Sequence, residues 1–173
     1  MLRTILVVLC AFVTAAVMVF AKTPRPLADV TISPAPGGKA IKLSSFKGRP
    51  LVIAVISTEC ADCANAIQYL DVIQKEYKAK GVQIVGAAAN GGAISTVGAF
   101  IDRYRPSFPI GVLSEDELKR LGDYTNPKER PYVPIFIFVD KKATVTFQAG
   151  AEQPFFKEVD KLTRALLDNM VKQ

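Results

Sequence analysis

Two cysteines three residues apart are the side chains of this sequence best suited to chemistry. Cys60 and Cys63 are the first and last residues of the tetrapeptide Cys-Ala-Asp-Cys. In a first helical turn, residues three apart share a face, with Cα separations near the ~4.4–6.8 Å that a disulfide tolerates. The pair can therefore open and close. The thiol at the helix N-terminus meets unpaired N–H groups and the positive end of the helix dipole. We expect Cys60 to be the exposed nucleophile and Cys63 the resolving thiol.

The residue inventory excludes several other chemistries. The 173 residues include three cysteines but no His and no Trp. Imidazole general bases, His-zinc sites and Ser-His-Asp arrangements are therefore excluded. We expect no metal, because the chain cannot supply four good ligands, and no cofactor. The net charge is +6, from 22 Lys and Arg against 16 Asp and Glu. These charges are scattered without a run of five basic residues, so nucleic acid is not an expected partner.

The first 21 residues have the composition of a targeting segment. Arg3 precedes an uncharged, largely apolar stretch, residues 5–21, whose end Val19-Phe20-Ala21 offers a possible cleavage site. Its 17 residues are long for a signal peptide and at the lower limit of ~17–25 for a spanning helix. A cleaved signal peptide and a retained membrane tether through residues 5–21 both fit. Either predicts an extracytoplasmic location, periplasmic or secreted, where a cysteine pair can cycle.

The remaining chain divides into a short linker and one domain. Residues 22–38 are rich in proline and read as a linker that contributes an edge strand. Residues 39–173 have the length of one globular domain that needs no disulfide staple. The β-branched run 51–56 predicts a central strand buried on both faces. Helical spacing over 58–80, with Gly81 as its end, predicts a long helix whose start carries the cysteines.

Beyond Gly81 the pattern predicts alternating strands and helices and then an antiparallel hairpin. The expected elements are a strand over 82–88, a helix over 95–104 capped by Ser95, a strand over 110–113, a helix opened by Ser114, a loop over 122–134, hairpin strands over 135–139 and 144–149, and a last helix over 153–172. Helices must then cover both faces of a mixed sheet. The expected fold is an α/β sandwich with an antiparallel edge hairpin.

The sequence resembles the thioredoxin superfamily, and within it the exported TlpA/ResA-like thiol-disulfide oxidoreductases. The resemblance rests on residues 43–48, 77–82 and 133–140 together with the cysteine pair at a strand-to-helix junction. It implies a thioredoxin-like three-layer sandwich and a redox-active Cys60–Cys63 disulfide. It also implies protein thiols and disulfides as substrates, with an upstream electron donor protein. In that family the proline matching Pro134 is cis and faces the disulfide, and the backbone beside it, here Val133, pairs with substrate.

The sequence departs from the family pattern around the thiols. Family members usually carry Trp before the first cysteine and often Pro between the two, whereas Glu59, Ala61 and Asp62 stand here. Ala54 occupies the place where many thioredoxins carry a buried acid. Proton transfer to the resolving thiol would then need water or another group, which puts fast reductase activity in doubt.

Glu59 and Asp62 are expected to tune the acidity of Cys60. A carboxylate ~7 Å from a thiolate opposes it by roughly 0.6–2.4 kcal/mol for effective dielectrics of 80 to 20. The positive end of the helix dipole stabilises the thiolate by about 0.3–2 kcal/mol. Our hypothesis is that the two acids largely cancel the dipole, so that Cys60 is not strongly acidified. The alternative is that Asp62 only occupies a favourable place in the first turn.

Two other functions fit parts of the pattern. A peroxiredoxin-like peroxide reductase shares the fold, but such enzymes resemble Pro-x-x-x-Thr-x-x-Cys, and Ile53 and Ser57 occupy those positions before Cys60. Arg103 and Arg130 would have to approach the thiol. A redox-inactive binding module with a fixed, structural disulfide is the other alternative. We favour an extracytoplasmic thiol-disulfide oxidoreductase that acts through Cys60.

Overall fold

The computed structural model describes residues 23–124, 128 and 130–173. The predicted signal peptide or anchor over residues 1–21 lies outside these ranges. Within them, no helix is both long and apolar enough to cross a membrane.

The described chain folds into a twisted mixed sheet with helices on both faces. The strands are β1 (Arg25–Pro26), β2 (Thr31–Pro34), β3 (Ile41–Lys42), β4 (Leu51–Ile56), β5 (Gln83–Ala88), β6 (Ile110–Val112), β7 (Ile135–Val139) and β8 (Thr144–Gly150). The helices are α1 (Ala61–Tyr77), α2 (Ala93–Tyr104), α3 (Glu115–Gly122) and α4 (Val159–Lys172). Short 3₁₀ turns cover Leu43–Phe46, Lys78–Lys80 and Pro154–Glu158.

The eight strands follow the order β1-β8-β7-β4-β5-β6-β2-β3. β4 lies parallel to β5 and antiparallel to β7, and β5 lies parallel to β6. β7 and β8 form the antiparallel hairpin that the sequence predicts. The two parallel connections carry α1 and α2, as crossover connections require. The expected α/β class and the mixed sheet are confirmed.

Alternation along β4 explains how one strand serves two hydrophobic cores. All six of its residues are buried. Val52, Ala54 and Ile56 face the core that contains side chains of α1, α2 and α4. The intervening residues face a second core with side chains of α3 and the chain before β4. Successive side chains of a strand point to opposite faces, and a strand covered on both sides therefore needs a continuous apolar run.

The segment over 22–38 is more closely integrated into the sheet than a linker. β1 pairs with β8 at one edge, and β2 inserts between β6 and β3 at the other. Ile32 in β2 is fully buried. The segment contributes strands, but β2 lies inside the sheet and contacts the core, where an edge strand was expected.

Three helices begin at residues other than those predicted. α1 begins at Ala61, not Thr58, because Cys60 is its extended N-cap residue. α2 begins at Ala93, where the left-handed conformation of Gly92 starts the helix, so Ser95 is not the cap. The last helix is preceded by the 3₁₀ turn over Pro154–Glu158 and begins only at Val159.

The approach of β2 to β6 can be tested with a pair of glycine substitutions. A Cβ on Gly111 would clash with the Ser33 carbonyl oxygen and lie 2.8 Å from Cγ2 of Ile32. We expect Gly111→Ala to destabilise the fold by about 1–3 kcal/mol through overpacking. Gly98→Ala is the control, since its Cβ would meet only Pro36, at 3.7 Å, in ordinary contact. Within α2 it should stabilise by about 0.5–1 kcal/mol. Urea denaturation measures both; equal midpoints for Gly111→Ala and wild type would contradict the pairing.

Candidate active site

The cysteine pair lies where β4 ends and α1 begins. The chain leaves the sheet at Ile56, and the Cys60 N–H donates to the Ser57 carbonyl at 3.3 Å. Cys60 then caps α1: its Sγ accepts the Cys63 N–H at 3.2 Å. A helix leaves its first N–H groups without partners inside the helix, and here a sulfur satisfies one of them. The predicted position of Cys60 at the helix N-terminus is confirmed.

Cys63 occupies a different environment from Cys60. Both are free thiols, but Cys60 is partly exposed whereas Cys63 is fully buried in the core under α1. The Cys63 Sγ accepts the Ser57 N–H at 3.4 Å. Burial is the main cause that raises the pKa of Cys63, followed by its hydrogen bond with the Cys60 side chain. The Ser57 N–H acts in the opposite direction and favours the thiolate.

The two acids beside the thiols are both exposed to solvent. Asp62 lies in the first turn of α1 and is the weakest of the influences that raise the pKa of Cys63. The backbone N–H of Glu59 donates to Ser57 Oγ at 3.3 Å and helps to close the turn. The idea that these carboxylates cancel the helix dipole at Cys60 stays a prediction.

Pro134 approaches the same end of α1 from β7. The Val133–Pro134 peptide bond is cis. Pro134 and Asp62 line one cavity of about 360 Å³, together with Asn65, Ala66, Tyr69, Phe136, Ala151, Phe156 and Val159. The cavity opens between α1, the loop before β7 and the start of α4. It brings the predicted substrate-binding proline to the helix that carries the cysteines.

An exposed aromatic residue precedes this proline loop. Tyr132 is 77% exposed, yet its backbone is fixed at two points. Its N–H donates to a carboxylate oxygen of Glu152, and its carbonyl accepts the Ala151 N–H, each at 3.0 Å. The ring therefore projects from an anchored backbone beside the cavity.

Sequence reasoning missed a polar cluster on the opposite side of the cysteine turn. Thr58, Asn90 and Thr96 are partly buried and hydrogen-bonded to one another. Asn90 falls between the predicted strand over 82–88 and the predicted helix over 95–104, where no motif singles it out. The signal that could have revealed it is positional, since Thr58 and Asn90 each follow a buried strand of a parallel pair.

The described residues offer limited means for other chemistry. Among them, no group of three or more His, Cys, Asp or Glu side chains could hold a metal ion. Ala54 is fully buried and brings no carboxylate to the core around Cys63. A partly exposed thiol at a helix N-terminus with a buried thiol one turn below it is an arrangement that supports nucleophilic thiol exchange.

Comparison with known proteins identifies relatives of one kind. The model of the Redoxin family matches residues 22–166. The thiol-disulfide oxidoreductase ResA of Halalkalibacterium halodurans is 34% identical over 73 residues, which cover 42% of this chain and 41% of that protein. ResA of Bacillus thuringiensis (strain Al Hakam) is 29% identical over 117 residues, which cover 67% of this chain and 63% of that protein. The matches thus span less than two thirds of these relatives.

A solved structure supports the fold over most of the chain. The thiol:disulfide interchange protein of the thioredoxin family from Chlorobium tepidum TLS superposes with a TM-score of 0.69. The superposition covers 87% of this chain and 98% of that one, at 17% sequence identity. The fold is therefore thioredoxin-like, as the sequence resemblance implies.

The burial of Cys63 predicts a pH dependence of stability in the reduced protein. Because the folded state raises the pKa of Cys63, its contribution to stability is complete below the ordinary thiol pKa of about 8.5 and is lost as the pH rises above it. The loss approaches at most about 1.4 kcal/mol per pH unit. Urea denaturation of the reduced protein between about pH 7.5 and about pH 9.5 measures it. Cys63→Ser should lack this loss; identical pH profiles for the two proteins would contradict the assignment.

Proposed function

The chain belongs to the Redoxin family, and from this premise we propose that it is an extracytoplasmic thiol-disulfide oxidoreductase that exchanges disulfides with other proteins. The observation that carries the proposal is the unequal cysteine pair: the Cys60 sulfur caps α1 at a partly exposed position, and Cys63 is buried one turn below it. The location is supported by the apolar segment over residues 5–21. The names of the relatives support the reaction class.

In the reducing direction the proposed reaction has two steps. The Cys60 thiolate attacks one sulfur of a client disulfide, so a Cys60–client bond forms and the other client sulfur leaves as a thiolate that takes up a proton. The Cys63 thiolate then attacks the Cys60 sulfur and releases the second client thiolate. The client gains two electrons, and the protein loses two as it forms its disulfide. An upstream electron donor protein would return the dithiol; an isomerase cycle would end without net transfer.

The second step needs a proton to leave Cys63, and the fold makes this step demanding. Burial raises the pKa of this thiol, and Ala54 supplies no carboxylate base. The departing client sulfur and water are then the acceptors for the proton. The Ser57 N–H remains as the backbone donor that favours the Cys63 thiolate. We therefore expect resolution, rather than the first attack, to limit turnover.

The loop around Pro134 is the proposed binding surface for the client. Pro134 shares a cavity with Asp62 on α1, and Val133 offers backbone groups for an extended peptide. Tyr132 stands exposed next to them. A client segment that lies along this loop would bring its sulfur to Cys60.

The observed contacts do not favour a peroxide reductase. Arg130 lies 3.4 Å from a carboxylate oxygen of Glu115, and Arg103 packs over the ring of Tyr104 in the last turn of α2. Each cation is thus engaged with a neighbour from α3 or α2. Peroxide turnover that depends on Cys60 would favour the peroxide reductase instead. A reduction potential below about −300 mV would instead favour a structural disulfide.

Serine variants of the two cysteines should separate their roles. We expect Cys60→Ser to lose insulin reduction altogether, because no nucleophile remains at the helix end. Cys63→Ser should accumulate a Cys60–insulin mixed disulfide, because the resolving thiol is missing. Non-reducing electrophoresis and mass spectrometry of the trapped adduct measure the outcome. An adduct on Cys63 in Cys60→Ser, together with no adduct on Cys60 in Cys63→Ser, would reverse the assignment.

Tyr132→Ala tests the proposed client surface. We expect kcat/KM for insulin to fall about five- to tenfold, in the range of an exposed aromatic contact worth about 1–1.4 kcal/mol. The reaction with a small aromatic disulfide, 5,5′-dithiobis(2-nitrobenzoate), should be unchanged, since it needs only the thiols. Val72→Ala is the control, because Val72 is 50% exposed on α1. Equal losses with both substrates would place Tyr132 in the support of the thiols and not in client binding.

A further inference from the structure

Two loops meet beside the cysteine turn because β4 and β5 are parallel. In their register Ile56 lies opposite Ala88, the last residue of each strand. The Ala89 N–H donates to the Ile56 carbonyl at 2.9 Å and extends this pairing. Thr58 and Asn90 each stand two residues beyond the paired positions, at the edge of the sheet where the carboxyl ends of the strands meet.

The Asn90 side chain holds Thr58 at two points. Its Oδ1 accepts the Thr58 backbone N–H at 3.0 Å, and its Nδ2 donates to Thr58 Oγ1 at 3.1 Å. Thr58 Oγ1 also lies 2.6 Å from Thr96 Oγ1 on α2. We call this cluster of Thr58, Asn90 and Thr96 the asparagine clasp. It ties the cysteine turn to the following strand and helix.

The clasp is one residue away from groups that contact both halves of the cysteine pair. The Ser57 N–H donates to Cys63 Sγ at 3.4 Å, and the Ser57 carbonyl accepts the Cys60 N–H at 3.3 Å. Thr58 is bonded directly to Ser57. A turn that loosens at Thr58 therefore also loosens the Ser57 N–H against the Cys63 sulfur.

We propose that Asn90 is a positioning residue for the cysteine pair, which acts through Thr58 to keep the Ser57 N–H on the Cys63 sulfur. The inference rests on the proposed thiol-disulfide exchange. A hydrogen bond to the charged form of a group favours that form. The Ser57 N–H bonds the Cys63 sulfur in the reduced protein, so the clasp stabilises that form. Because the same donor favours the thiolate, the clasp also promotes the Cys63 thiolate that resolves the mixed disulfide.

Substitutions at two members of the clasp give a graded test. Asn90→Ala removes both bonds to Thr58, Thr58→Val removes the hydroxyl but keeps the backbone N–H, and Thr58→Ser keeps both. Asn169→Ala is the matched control, because Asn169 is exposed on α4. Each full-length protein is equilibrated with a glutathione redox buffer. The lifetime of its Cys60–insulin mixed disulfide is also measured.

For Asn90→Ala we expect the equilibrium with glutathione to move toward the Cys60–Cys63 disulfide by about threefold to tenfold. This change is what the loss of one hydrogen bond would produce. This corresponds to a potential about 14–30 mV more negative. The mixed disulfide should persist longer by a similar factor. Thr58→Val should show a smaller shift in both quantities, whereas Thr58→Ser and Asn169→Ala should match wild type.

A purely structural role for Asn90 would give a different set of results. Asn90→Ala would then unfold at lower urea concentration while the potential and the mixed-disulfide lifetime of its folded form equal those of wild type, and that result overturns the proposal. If Asn90→Ala does not fold, equal potentials for Thr58→Val and Thr58→Ser overturn it instead. Wild-type thiols that do not exchange with insulin would contradict the proposed function, and the wild-type arm reveals this independently of the variants.

Discussion

The candidate site depends on one interaction, the hydrogen bond from the Cys63 N–H to the Cys60 sulfur at the start of α1. An N-cap residue normally offers an oxygen to a first-turn N–H group of its helix. Here the cap is the sulfur of the proposed nucleophile. The requirement that a helix end satisfies its N–H groups therefore fixes the orientation of Cys60, and the same contact presents this sulfur to the positive end of the helix dipole. The same hydrogen bond therefore caps the helix and orients the proposed nucleophile.

The difference between the two thiols comes chiefly from depth in the fold. Burial is the main cause that raises the pKa of Cys63, and Asp62 is the weakest contributor to it. This order is physically reasonable, because Asp62 is exposed and its charge is screened by water, whereas Cys63 lies in a core whose medium disfavours a thiolate. The hydrophobic packing of α1 on β4 thus produces the difference between a partly exposed and a fully buried thiol.

Local sequence signals predicted much of the fold but little of the detail beside the thiols. The structure has a strand over the β-branched run 51–56, helical turns that end before Gly81 and a hairpin over 135–150. Each of these features is determined by neighbours in the chain. The predicted start of α1 is wrong because helical spacing alone does not show which residue before the helix is extended, and here that residue is Cys60. β2 was concealed by prolines that the edge region of a sheet tolerates. The contact of Thr58 with Asn90 joins residues 32 positions apart, and only the strand register brings them together.

The small side chain of Ala54 explains why backbone geometry matters so much at this site. Ala54 pairs with Gly86 and Phe136 within the sheet and belongs to the same core as Cys63. A carboxylate there could exchange a proton with a buried thiol directly. Without it, the Ser57 N–H is the backbone donor to the Cys63 sulfur, and a backbone donor can be adjusted only through the conformation of its loop. Control over the buried thiol then passes from a titrating side chain to the residues that hold the turn between β4 and α1.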